Sequence, residues 1–134
     1  MTPQEIFDTV ATHLFTQGHR AFDDGLNQCA YKTQDGSMCA VGCLIRDYYK
    51  PEMDKNAYGT DIRTVYGLFK SDLPDWIENN LKLLGALQDV HDVDYNWNSV
   101  DALKAALTTV AIHNELNYSV LDKFERFEEW KYSG

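Results

Sequence analysis

Residues 29–43, CAYKTQDGSMCAVGC, hold all three cysteines of the chain and its clearest turn signal, Asp35-Gly36. Residues 29–32 read as a short strand. Residues 34–37 read as a tight turn, because Asp-Gly tolerates positive φ. From Met38 the apolar run is too short for periodicity to separate strand from helix. The reading adopted is a short helix starting near Cys39, with Gly42 inside it for close packing rather than for propensity. On this reading the stretch is a β-hairpin feeding a helix, the one β element of the chain.

Outward from it the pattern is helical. Thr2-Pro3-Gln4-Glu5 has the form of a capping box with proline in the first turn, Ile6, Phe7, Val10, Ala11 and Leu14 make an apolar stripe, and Gly18 suits a left-handed C-terminal cap. Residues 19–28 read as loop. So do residues 47–59, where Pro51 forbids a continuous helix. Thr60 or Asp61 caps a short helix carrying Ile62, Val65, Tyr66 and Phe69. Asp72 caps the next, with Pro74 in its first turn and a stripe of Ile77, Leu81, Leu84, Leu87, Val90 and His91. After a polar break, residues 92–98, Asn98 or Ser99 caps a helix with Leu103, Leu107, Val110 and Ala111 inward. A last helix from Ser119 turns Leu121, Phe124, Phe127 and Trp130 inward. These elements predict a single domain over residues 1–134, α+β and predominantly helical, with about five helices and one small hairpin packed on the helix that contains His91.

The chain has 134 residues, is 44% hydrophobic, and carries 8 tyrosines, 6 phenylalanines and 3 tryptophans. That is enough to build a core without staples. Its net charge is −9, and Lys and Arg are scattered singly, which argues against direct nucleic-acid binding and against anionic membranes. No apolar run reaches the ~20 residues of a membrane span, and the N-terminus has neither the basic region nor the apolar core of a signal peptide. A cytoplasmic, reducing location follows as the expectation, consistent with an odd cysteine count.

Four readings of the thiols stand side by side. A zinc site would use Cys29, Cys39, Cys43 and His91, although nine and three intervening residues are unlike the usual paired spacing. A disulfide across the hairpin is geometrically possible but opposed by the compartment. A thiol enzyme would use Cys39 as nucleophile at a helix start, His91 as base and Asp92 as orienter. Ordinary packing asks nothing further, since buried cysteine behaves as a small hydrophobe. His91-Asp92 also suggests a metal phosphohydrolase, but no spacing makes His13, His19 and His113 converge on it. Asp89, Asp92 and Asp94, and Glu125, Glu128 and Glu129, offer oxygen ligands without any EF-hand pattern and read better as solvated faces. Phosphate-loop, nucleophile-elbow and His-Glu-x-x-His motifs are absent. Trp76, Trp97 and Trp130 are expected to close the edges of the core. Trp97, with Tyr31 and Tyr48, is the candidate for a binding surface.

Cys29-x-Tyr31-Lys32, Gly36, the segment from Cys39 to Ile45, Pro51-Glu52-Met53, Leu87-Gln88-x-x-His91-Asp92 and Trp97 together resemble a family of short uncharacterised proteins from bacteria and tailed phages, over roughly residues 1–115. Arg46 stands where similar sequences often have proline, so the helix from Cys39 is expected to run on further. The resemblance implies a cytoplasmic, phage-encoded or bacterial protein and no named reaction. It marks Cys29, Cys39, His91 and Asp92 as the residues to test.

The combined expectation is a small acidic accessory protein that binds a host or viral macromolecule, with a partner that is basic, no cofactor and no membrane. The rivals are the thiol enzyme of Cys39 and His91 and the zinc-stabilised module.

Overall fold

The computed structural model describes residues 1–25, 27–55 and 61–127. Helix α1 spans Pro3–Gln17. Its capping box is complete: Thr2 Oγ1 accepts the Glu5 N–H at 3.1 Å, and Glu5 Oε1 accepts the Thr2 N–H at 2.9 Å. Gly18 closes it at φ 80°, a left-handed conformation that glycine takes without steric cost. The stripe Ile6, Phe7, Val10, Ala11 and Leu14 is fully buried, as is Phe15.

Two short strands follow, β1 (Phe22–Asp23) and β2 (Gln28–Cys29), antiparallel with Phe22 opposite Cys29. The hairpin expected around Asp35-Gly36 therefore moves back along the chain, into residues read as loop, and the turn at Gly36 (φ 86°) closes a single bridge between Lys32 and Met38. Side chains replace the rest of the ladder. Asp54 accepts the Tyr31 and Lys32 N–H groups at 2.8 and 3.2 Å, and Gln17 Oε1 accepts the Met38 N–H at 2.8 Å. Asp35 draws the turn in on itself, accepting from the Ser37 N–H at 2.9 Å and from the Thr33 hydroxyl. With these donors satisfied, a longer ladder has nothing to gain.

Helix α2 (Ala40–Leu44) begins where the sequence places it, with Cys39 as its cap. It does not run past Arg46. The fully buried Ile45 ends it at φ −108°, and a turn follows in which the Tyr48 N–H bonds the Ile45 carbonyl at 2.8 Å. A helical turn, α3 (Glu52–Lys55), occupies part of the stretch expected as loop, just after Pro51. Helix α4 (Ile62–Phe69) is capped by Asp61. Thr60, the other candidate cap, lies outside the described residues. Asp72 caps nothing and pairs with Lys50 at 3.0 Å. A 3-10 segment, Asp75–Asn80, precedes helix α5 (Leu81–Asp92), so the continuous helix expected from Asp72 is divided. Helix α6 (Val100–His113) is capped by Ser99.

The last helix shrinks to a 3-10 turn, Ser119–Lys123. Phe124 turns extended and stacks on Phe15 at 4.7 Å, and Phe127 stacks on the same ring at 5.8 Å. Burying two rings on Phe15 outweighs propagating a short, weakly nucleated helix. Trp130 lies outside the described residues. The core gathers α1, α2 and α5, with α4 and α6 packed on α5. The architecture is the helical α+β fold with one small hairpin that the sequence predicts, built from six α-helices among the described residues.

Candidate functional site

Helix α5 carries Gln88, His91 and Asp92 on the face turned toward β1, β2 and α2. Gln88 is 3% exposed and bridges two elements, its Oε1 accepting the Val41 N–H at 3.1 Å and its Nε2 donating to Asp92 Oδ1 at 2.8 Å. His91 is fully buried. The backbone N–H of Ala21 donates to its Nε2 at 2.9 Å, and Nδ1 lies 2.7 Å from Asp92 Oδ1. A backbone amide can only donate, so Nε2 holds the lone pair and the proton sits on Nδ1, directed at the carboxylate. The His91 carbonyl takes the Trp97 indole N–H at 2.9 Å, and the indole meets the imidazole edge-on at 6.0 Å.

Arg20 completes the cluster from the strand side. One guanidinium nitrogen donates to the Asp92 carbonyl at 3.3 Å and lies 3.9 Å from Cys29 Sγ, the other pairs with Asp94 at 3.3 Å, and the group stands 5.1 Å above the Phe22 ring. Cys29 Sγ, His91 and Asp92 present ligand atoms within 4.8 Å of one another, the one such grouping among the described residues. Burial, helped by the Asp92 charge, pushes the Cys29 thiol up to about 12, with Arg20 opposing.

The thiol-enzyme geometry is not assembled. Cys39 is fully buried, and its Sγ accepts the Gly42 N–H at 3.2 Å as the cap of α2. Burial raises the thiol well above its ordinary value, and the Gly42 N–H only partly offsets this. Helix α2 has five residues, too few for much dipole. His91 has no lone pair left for it, since one nitrogen faces an amide and the other gives its proton to Asp92. The zinc set is not assembled either. Cys29 and His91 meet, but with Asp92, not with Cys39 and Cys43. Cys43 donates its thiol proton to the Ala40 carbonyl at 3.1 Å, and burial pushes it up to about 12. A metal on His91 Nδ1 would force the ring proton onto Nε2, against the Ala21 N–H. A metal on Nε2 would displace that amide. All three thiols are free.

The remaining candidates are dispersed. His13 donates from Nε2 to the Met38 carbonyl at 2.7 Å, and His19 from Nδ1 to the Arg20 carbonyl at 2.9 Å. His113 is exposed at the end of α6. Of the aromatic residues expected at a binding surface, Tyr48 is exposed, Trp97 is half-buried, and Tyr31 is wholly in the core, its hydroxyl without a hydrogen-bond partner among the described residues. Asp94 is spent on Arg20. Asp89 is exposed, its carboxyl raised by partial burial and by Asp92. Glu125 is exposed, and Glu128 and Glu129 lie outside the described residues.

The sequence reading missed a groove of about 800 Å³ along the polar side of α1. Asp8, Thr9, Thr12 and Thr16 line it. Cys43 comes from α2 and Arg46 from the turn after it, and Asn117 and Lys123 come from the segment after α6. The signal available was a helix whose polar face carries threonines where charged residues are commoner.

Comparison with protein-family models, with curated proteins and with solved structures finds no match for this chain.

Proposed function

We propose that this chain is a non-catalytic accessory protein that binds a host or viral macromolecule, and that the Cys29–His91–Asp92 cluster fastens the fold rather than performing chemistry. The observation that carries this reading is the full commitment of His91: Nε2 to the Ala21 amide and Nδ1 to Asp92. A general base needs a lone pair within reach of the proton it removes, and this ring has none to offer. The net charge of −9 steers a cationic partner toward the surface, with exposed Tyr48 as a contact residue. The resemblance to bacterial and tailed-phage proteins supports a cytoplasmic setting. Among the described residues no helix is long and apolar enough to cross a membrane.

The test is alkylation of each cysteine as a function of pH, read by mass spectrometry. Slow labelling of Cys39 at all pH values below unfolding is expected. Rapid labelling of Cys39 with an apparent pKa below the free value of about 8.5 would sink the reading and put the thiol enzyme ahead.

A further inference from the structure

We propose that the groove along α1 binds a small phosphorylated molecule bearing hydroxyl groups, with its phosphate held by Arg46 and Lys123. This assignment stands independently of any macromolecular partner. A cavity of about 800 Å³ lies within the range that takes small molecules rather than single ions. Its two ends differ in charge.

At the end near the α1 C-terminus, Arg46 lines the groove together with His13 and Thr16. Its Nε donates to the Cys43 carbonyl at 3.3 Å, which fixes the guanidinium and leaves its terminal nitrogens for a two-point bond to an oxyanion. Lys123 lines the groove and immediately precedes Phe124, whose ring is stacked on Phe15, so its backbone stands toward the same end. Among the described residues neither cation has a carboxylate within ion-pair distance, in a chain with a large excess of acid. Two positive charges on one concave surface focus an anion there. Thr12 and Thr16 add hydroxyl donors.

At the other end Asp8 accepts from Gln4 Nε2 at 3.0 Å, and Gln4 ties down Asn117 through its carbonyl and N–H at 2.8 and 2.9 Å. The Asp8 carboxylate repels a phosphate and accepts hydroxyl protons. Asp8 and His13, both lining the groove, are five residues apart on the helix, about 7.5 Å along its axis, so the carboxylate stands more than one helical turn from the cationic end. The groove therefore orients such a ligand, phosphate toward Arg46 and hydroxyls toward Asp8.

The experiment is a two-dimensional amide NMR titration with ribose 5-phosphate, run beside ribose and inorganic phosphate. Saturable shifts at Thr9, Thr12, Thr16 and Arg46 are expected, tighter for ribose 5-phosphate than for inorganic phosphate, and absent with ribose. Arg46→Gln, a surface change, should weaken binding by about tenfold or more, and Lys123→Gln should weaken it by less. No saturable response up to about 10 mM would overturn the proposal. So would equal affinity for inorganic phosphate, or affinity unchanged in Arg46→Gln.

Discussion

At Gly42 an added Cβ would stand 2.1 Å from the Tyr31 carbonyl oxygen. That oxygen is backbone and cannot swing away, so α2 would have to lift from the residues it covers. Gly42→Ala is expected to cost about 3–5 kcal/mol, at the severe end of overpacking, measured by urea denaturation. A loss below about 1 kcal/mol would show that α2 adjusts freely. Asp54 makes the complementary case. It is 7% exposed and accepts from the Tyr31 and Lys32 amides and from the Tyr49 hydroxyl, the last at 2.7 Å. Asp54→Asn turns one oxygen into a donor facing other donors, and should cost about 2–4 kcal/mol. Stability equal to that of the parent would mean that these bonds are not formed in solution. At His13, burial holds the imidazole below its ordinary 6.5. The unfolded chain then binds the proton first, so stability falls as pH drops below 6.5, with a slope of at most about 1.4 kcal/mol per pH unit. Denaturation at neutral and mildly acid pH should show this slope, reduced in His13→Gln. An unchanged slope in that variant would assign it to another group.

At the scale of elements, the segment between β2 and α2 hangs on side chains from helices distant in sequence. Gln17, 2% exposed, both accepts from and donates to Met38, at 2.8 and 3.0 Å. Gln17→Ala should raise amide exchange across residues 30–39 while leaving α5 and α6 protected, with a global cost of about 1–3 kcal/mol. A uniform rise across the molecule would show that this segment has no separate stability. The same elements mark where the sequence was readable. Helices α1, α4 and α6 were legible because each carries a start signal ahead of a periodic apolar stripe: Thr2 for α1, and for α4 and α6 a pair of candidates of which the structure uses Asp61 and Ser99. The hairpin was not, because an Asp-Gly pair specifies a turn but not what lies on either side. Here Asp54 and Gln17 took the bonds a ladder would have made. The last helix failed for a related reason: the spacing of Phe124 and Phe127 is compatible with a helix, but the Phe15 ring they stack on belongs to α1.

Across the whole molecule, buried thiols tie stability to alkaline pH. Burial raises the Cys29 and Cys43 thiols to about 12 and holds Cys39 well above its ordinary value. Above the free thiol value of about 8.5 the unfolded chain loses these protons and the native state keeps them, so stability is lost as pH climbs toward about 12, by up to about 1.4 kcal/mol per pH unit for each fully buried thiol. Cys29, only partly buried, should contribute least. Urea melts in the alkaline range should steepen this way, with Cys43→Ala removing part of the slope. A flat profile would mean the thiols reach solvent. Because the His91 ring is locked by Ala21 and Asp92, added Zn²⁺ should leave the melting temperature unchanged. A clear rise would show that the ring can turn over and that Cys29, His91 and Asp92 bind metal.

The sequence by itself determined the helical class, the starts of the capped helices to within a residue and the presence of Cys39 at a helix start, since caps and apolar periodicity act over a few neighbouring residues. Only the tertiary structure decided which groups share a site. It brought Cys29, and not Cys39, to His91 and Asp92, spent both nitrogens of the imidazole, and set Arg46 and Lys123 over one face of α1. Those outcomes depend on hydrogen bonds and ring contacts between residues up to more than a hundred positions apart, such as Gln4 with Asn117, and no local pattern carries that information.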